Sequence, residues 1–277
     1  MNKQTARLIT ALLVGLCFPA QALFARISIL SPWSFQNRMP TQKREIAQTV
    51  GLHSGISGVS PAGMETDSKF VNCPYYVTYG LLDIAEVGAG WGLEFLDRKG
   101  RGSQFGIRDL NVAARYRFFD PKRSERMPGL DMEFGFSFPT ASFNRGLGTG
   151  GVGFIFGWGL VLPLDPVRAH FSLGYRVNTE NSDDVHVGNV FSYSAGATYP
   201  LKGRQIKQDV SLTAELKGFN HARNSLNGNK VSDGLDEIYL SPGVLWKYNP
   251  RLQFSGGILF GLSSDSSDVG FFLEAHF

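Results

Sequence analysis

From residue 47 onward the chain repeatedly alternates apolar with polar or small side chains, often for ten or more residues at a time. Successive side chains of a β-strand point to opposite faces, so a period of two gives each strand one greasy and one polar face. Leu130, Met132, Phe134, Phe136 and Phe138 share one face, while Asp131, Glu133, Gly135 and Ser137 share the other. Val167, Ala169, Phe171, Leu173, Tyr175 and Val177 are opposed by Arg168, His170, Ser172, Gly174, Arg176 and Asn178. Val152, Phe154, Phe156, Trp158, Leu160 and Leu162 are opposed largely by Gly151, Gly153, Gly157 and Gly159. No stretch beyond residue 25 sustains a helical period, so the fold is all-β.

A soluble sandwich also alternates. Three features favour a membrane barrel instead. The strands exceed the usual soluble length of about five or six residues and suit a tilted bilayer crossing. Their apolar face carries Phe, Trp or Tyr in nearly every segment, and the chain holds 22 Phe, 9 Tyr and 4 Trp. Their other face mixes Gly, Ser and both signs of charge, which a dry core holds only at high cost. In lipid every backbone group must be paired, and only closure removes the strand edges.

The first residues read as a leader. Lys3 and Arg7 are basic, residues 8–18 are apolar, and Ala20-Gln21-Ala22 is a small-x-small cleavage signal. Residues 1–22 are therefore expected to be a signal peptide. Residues 23–46 form a periplasmic segment or plug, and 47–277 the barrel. Net charge is +3, with Lys3 and Arg7 in the leader, so the remainder is nearly neutral and no nucleic-acid partner is expected. Two cysteines exclude a disulfide scaffold, and no Cys/His cluster has zinc spacing. No metal or cofactor is expected.

The predicted strands are 47–55, 70–80, 85–96, 107–118, 129–138, 150–162, 167–178, 186–199, 207–219, 237–248, 251–262 and 269–277. That is about twelve, with ten or fourteen as alternatives, in an antiparallel up-and-down barrel. The connections alternate short and long, except for a long turn at 119–128 and a short loop at 263–268. An even count puts both termini on the periplasmic side. Tyr79, Phe118, Tyr199, Tyr248 and Phe277 fall at periplasmic strand ends on the lipid face, where they form an aromatic girdle. The last strand alternates and stops on Phe277. It is similar to the C-terminal signal that the barrel-assembly machinery reads through backbone pairing, which implies a Gram-negative outer membrane.

The segment Ile107-Arg-Asp-Leu-Asn-Val-Ala-Ala-Arg-Tyr-Arg-Phe118 resembles the G-x-x-D-x-x-x-x-x-(K/R)-Y-(K/R) strand of transporter-like barrels grouped under the meta-pathway of phenol degradation. Phe136-Ser-Phe-Pro-Thr-Ala-Ser142 and Gly146-Leu-Gly-Thr-Gly150 resemble the P-T-G and G-x-G that follow there, and Gly174-Tyr-Arg-Val177 its next strand. Thr140-Ala141 stands where that family has Thr-Gly. The resemblance implies uptake of small molecules, aromatic ones among them, and brings no catalytic residues.

Gly146-Leu-Gly-Thr-Gly-Gly151 also fits G-x-G-x-x-G, but a strand follows where a dinucleotide site needs a helix, so it reads as a flexible extracellular loop. His170 and Ser172 are spaced as in barrel lipid hydrolases, with His as base and Ser as nucleophile. Their strand presents Phe171 and Leu173 to lipid, so the pair points inward, away from acyl chains. The expected lumen-facing side chains are Glu86, Glu94, Arg115, Arg117, Asp131, Glu133, Arg168, His170, Arg176, Glu215, Lys217, Lys247, Arg251 and Glu274. Arg115 and Arg117 are expected beside Asp131 and Glu133, and Lys247 beside Arg251 and Glu215. The pattern leads to a passive outer-membrane channel for small, aromatic or amphipathic molecules, narrow or partly plugged, with residues 26–45 as a candidate plug. The alternatives are a lipid hydrolase on His170 and Ser172, and a structural or adhesive barrel.

Overall fold

The computed structural model describes residues 43–57, 68–98, 102–119, 128–201, 209–249 and 251–277. Sixteen strands are described. They are β1 (Ile46–Ser57), β2 (Ser68–Leu82), β3 (Ala85–Arg98), β4 (Gly102–Ile107), β5 (Leu110–Phe119), β6 (Gly129–Phe138), β7 (Gly153–Leu164) and β8 (Val167–Asn178). Then come β9 (Val185–His186), β10 (Val190–Pro200), β11 (Asp209–His221), β12 (Ser225–Leu226), β13 (Asn229–Lys230), β14 (Leu235–Asn249), β15 (Leu252–Gly261) and β16 (Val269–His276). All the long pairings are antiparallel, and β1 pairs with both β2 and β16, so the sheet closes. Counting β4 and β5 as one interrupted strand gives a barrel of twelve. The minor strands β9, β12 and β13 make a small separate sheet in the loops.

The interruption between β4 and β5 is a bulge. Gly90 pairs with Asn111 and Leu93 with Ile107, so the two residues Trp91 and Gly92 face the three residues Arg108, Asp109 and Leu110. One extra residue lets two consecutive side chains, Arg108 and Asp109, turn inward. The sequence placed residues 97–106 in a loop. Residues 97–98 instead end β3 and residues 102–106 extend the wall in β4, because Phe105 and Ile107 continue the outward apolar register.

Exposure is inverted relative to a soluble protein. Leu173 is 53% exposed, Phe171 43% and Phe134 40%, whereas Lys217 is 0% and Glu215 1%. Phe154 is half-buried. Ring contacts run along this outer surface: Phe134 meets Phe156 at 5.3 Å and Phe136 meets Phe154 at 5.6 Å between centroids. Such a belt of aromatic and aliphatic side chains is stable only against acyl chains. The short turns gather at one end, together with Ile46 and Phe277, and the longer loops at the other.

The seam between β1 and β16 is tied by backbone and side chains. Gln48 N donates to Phe277 O at 2.6 Å and Phe277 N to Gln48 O at 2.9 Å. Inside, the Glu274 carboxylate accepts from His53 Nε2 at 3.0 Å and lies 3.5 Å from His276 Nε2, while Thr49 Oγ1 lies 3.0 Å from His276 Nδ1. The expected signal peptide 1–22, and residues 26–42 of the candidate plug, lie outside the described residues. Residues Lys43 to Glu45 pair at the turn end: Arg44 N donates to Gly80 O at 2.7 Å, and Gly80 N to Glu45 O at 3.0 Å.

Candidate functional site: the barrel interior and its inserted loop

The loop between β6 and β7 folds into the barrel. A 3-10 turn over Phe143–Arg145 ends at Gly146, whose φ of 72° is the left-handed conformation that glycine adopts without steric cost. The reversal drops the next residue, Leu147, inward, where it is 3% exposed. There it joins Phe70, Leu96, Phe219, Tyr239, Leu259 and Phe272 in an apolar ring near the loop end of the interior. Gly106 makes room for it, since a Cβ at that position would lie 2.5 Å from Leu147 Cδ1.

Asp109 holds this loop. Its Oδ2 accepts from Thr149 N at 2.9 Å and Thr149 Oγ1 at 3.1 Å, and its Oδ1 accepts from Ala141 N at 3.1 Å. Thr140 Oγ1 accepts from Leu110 N at 2.9 Å. Gly148 lets the carboxylate approach: a Cβ there would meet Asp109 Oδ1 at 2.4 Å and Ala141 Cβ at 2.7 Å. Arg176 braces the other side, donating from Nη2 to Ser137 Oγ at 3.0 Å and from Nε to Asn178 Oδ1 at 2.7 Å. A buried carboxylate surrounded by donors fixes them in place.

Towards the turn end the interior is charged and paired. Arg117 grips Asp131 with two parallel bonds, Nε to Oδ1 at 2.7 Å and Nη2 to Oδ2 at 3.0 Å. Arg115 Nη1 lies 3.2 Å from Glu86 Oε1. Arg108 Nε lies 3.6 Å from Glu94 Oε2, and Lys217 Nζ 3.7 Å from Glu215 Oε2. Bidentate guanidinium–carboxylate pairs of this kind offset the desolvation of both ions.

The profile of a family described as "Putative MetA-pathway of phenol degradation" matches residues 63–274. The chain belongs to this family. No curated protein matches the sequence. Among solved structures, the chain is similar to the COG4313 outer membrane channel from Pseudomonas putida F1, with a TM-score of 0.70 and 14% identity over 90% of this chain and 99% of that one. It is also similar to the NanC porin, with a TM-score of 0.51 and 10% identity over 84% and 99% of the two chains. The β-domain of the Bordetella autotransporter BrkA gives a TM-score of 0.53 and 11% identity over 84% and 98%. These likenesses are of fold: this member of the phenol-degradation family has the closed β-barrel fold of outer-membrane proteins.

In this family member the segments that carried the resemblance meet in space. Asp109, Thr140-Ala141 and Gly148-Thr149 are the parts of the loop anchor, and the Arg176 strand supports it. Ala141, at the position of the family's Gly in P-T-G, lies beside Gly148, where an added Cβ would be 2.7 Å from the Ala141 Cβ. The loop 146–151 is therefore anchored on the wall and folded inward, unlike the flexible extracellular loop read from its glycines.

Of the expected inward side chains, Glu86, Glu94, Arg115, Arg117, Asp131, Glu133, His170, Arg176, Glu215, Lys217 and Glu274 are buried inside the barrel. Arg168 is exposed, near the start of β8. Two expectations fail. Arg251 is exposed in the turn before β15, where its N–H donates to Asn249 Oδ1 at 2.8 Å, because the side-chain bond starts the turn ahead of the strand. Lys247 does not stand beside Glu215: the register pairs it with Asp209, while Glu215 pairs with Ser241. Tyr79, Phe118, Tyr199, Tyr248 and Phe277 are all exposed on the outer surface. His170 and Ser172 are not joined. Ser172 Oγ bonds Ser194 Oγ at 2.8 Å, and His170 Nε2 has no hydrogen-bond partner among the described residues.

Leu147, Asp109 and the apolar ring were missed as site residues. The available signal was weak: Phe70, Leu96, Phe219 and Phe272 are apolar residues on the polar register, each towards the loop end of its strand.

Proposed function

We propose that this barrel is a narrow passive channel of the outer membrane for small molecules, aromatic or amphipathic ones included, and that it is not an enzyme. The observation that carries the reading is the sequence of environments inside the wall. A solute meets an apolar ring closed by Leu147, then a belt of paired charges. An apolar ring repels hydrated ions, and a balanced charged belt accepts polar groups without holding one sign of charge. Reconstituted barrels are expected to give small conductance steps in planar bilayers and slow, size-limited swelling of liposomes. Absence of both, in the native chain and in a variant with its loop released, overturns the channel reading.

On the same reading, residues 1–22 act as the signal peptide and residues 23–46 as a periplasmic segment or plug. The strand ending in Phe277 is the segment that the assembly machinery pairs with. Tyr79, Phe118, Tyr199, Tyr248 and Phe277 lie at headgroup level. A lipid hydrolase is disfavoured by the Ser172–Ser194 bond, which takes Ser172 away from His170. An observed lipase activity that Ser172→Ala abolishes while the barrel stays folded restores that alternative.

A further inference from the structure

Three adjacent strands bring two rows of side chains together inside the wall. One row is His170, Gly196 and Glu215, and the next is Ser172, Ser194 and Lys217. Gly196 is the reason the first row works. A Cβ at that position would lie 2.4 Å from His170 Nε2 and 2.9 Å from its Cε1, so the tip of the imidazole reaches over the glycine that pairs with Glu215 on its other side.

The row is short of hydrogen bonds. His170 is 2% exposed, and among the described residues its Nε2 has no hydrogen-bond partner and neither oxygen of Glu215 accepts a hydrogen bond. Lys217 Nζ stands 3.7 Å from Glu215 Oε2, close enough to balance charge but beyond bonding distance. Ser172 and Ser194 satisfy one another at 2.8 Å. Buried acceptors left in this state cost free energy until something donates to them.

Charge narrows what that donor is. An anion meets the Glu215 carboxylate, and a cation meets the Lys217 ammonium in the next row. A neutral hydroxyl meets neither penalty. It donates its hydrogen to Glu215 and accepts from the imidazole N–H of His170, filling both groups at once.

We propose that His170 and Glu215 form a lumenal binding site for the neutral hydroxyl group of a permeating amphipathic solute. The site rests on the channel reading above and deepens it, by adding to small size a polar head that is uncharged and can both donate and accept. The apolar ring would take the hydrocarbon part, and the His170–Glu215 row the head.

The test uses the full chain in lipid nanodiscs with 15N-labelled histidine. The chain holds five histidines, and the His170 signals are assigned by their loss in His170→Gln. Benzyl alcohol is the probe, with toluene, benzylamine and benzoate as its apolar, cationic and anionic counterparts at matched membrane concentration. The expected result is a saturable shift of the His170 Nε2 resonance with benzyl alcohol and none with toluene. Glu215→Gln should weaken the apparent affinity about tenfold, the effect of replacing a charged acceptor by a neutral one. Gly196→Ala, which leaves every charge in place, should abolish the shift by displacing the imidazole.

An equal shift with toluene, tighter binding of either ion, or no shift with benzyl alcohol overturns the proposal, the last because water alone then serves the row. Conductance separates the two readings. A barrel that conducts but does not bind benzyl alcohol loses this site and remains a channel. One that binds without conducting keeps the site and loses the channel.

Discussion

Thr149 donates twice to Asp109 Oδ2, from its backbone nitrogen at 2.9 Å and from its hydroxyl at 3.1 Å. Two bonds from one residue to one buried oxygen fix both the position and the orientation of the loop that carries Leu147. The loop is thus held by a carboxylate on the opposite side of β6 as well as by its own short turn.

Replacing that carboxylate should free the loop without opening the wall. Asp109→Ala removes three acceptor contacts and leaves their donors facing the lumen, where water can serve them. A loss of about 2–3 kcal/mol in loop anchoring is expected, with the barrel still closed. The measurement is single-channel conductance, which should rise at least about twofold, since about 1.4 kcal/mol already shifts a population tenfold. An unchanged conductance with a folded barrel contradicts the assignment of Leu147 to the constriction.

Gly148→Ala should reproduce this effect from the loop side. Its new Cβ would sit 2.4 Å from Asp109 Oδ1 and 2.7 Å from Ala141 Cβ, so the carboxylate and the turn cannot both stay. Gly228→Ala is the control: that glycine lies in a loop with nothing within 4 Å of the added atom, although its φ of 73° carries a small backbone cost. Liposome swelling should separate the two variants, Gly148→Ala fast and Gly228→Ala native.

The Arg117–Asp131 pair predicts a non-additive stability cycle. Removing only the guanidinium, as in Arg117→Met, strands a buried carboxylate and should cost about 3–5 kcal/mol. Changing both, Arg117→Met with Asp131→Leu, should recover most of that loss. Guanidinium unfolding in detergent or liposomes measures all three chains. Equal destabilisation by the single and double changes would show that the pair is solvated rather than buried.

Charge on the outer surface should behave differently from charge inside. Phe134 is exposed at the middle of β6, and Phe134→Arg should cost about 2–4 kcal/mol against lipid. Inside, Ser137 already accepts from Arg176, so Ser137→Asp should be tolerated in the folded barrel. The comparison is made by unfolding in liposomes, and the ordering of the two costs is the test.

The sequence carried the wall well and the interior less well. Period-two alternation was enough for strands such as Gly129–Phe138 and Val167–Asn178, because a one-residue slip would turn Phe136 or Phe171 away from lipid. Eleven of the fourteen side chains read as inward are buried, since inward charge and outward ring follow from the same parity. Partners within that set needed the register between strands, which alternation does not contain. Lys247 was therefore matched to Glu215 when Asp209 stands across from it. The loop was hidden for another reason. Its glycines read as freedom, yet Gly106 and Gly148 are there to let side chains approach closely, a fact that belongs to tertiary contact. Asp109 shares the parity of Arg115 and Arg117, so alternation alone turns it inward; what the bulge reverses is the parity of β4, which brings Gly106 and Arg108 inside, and no periodicity shows where a ladder will skip.

The seam joins Thr49 to His276 across 227 positions, the two farthest strands of the wall becoming neighbours. Every other long ladder links strands that follow closely along the chain, so those hairpins can form as they are delivered. The closing ladder has to wait for β16, and until it forms, both β1 and β16 present open edges that would pair with any extended segment nearby. A newly exported copy is thus at greatest risk of misassembly in the interval before its ends meet, and shielding those two edges is the task that sets how reliably the wall is completed.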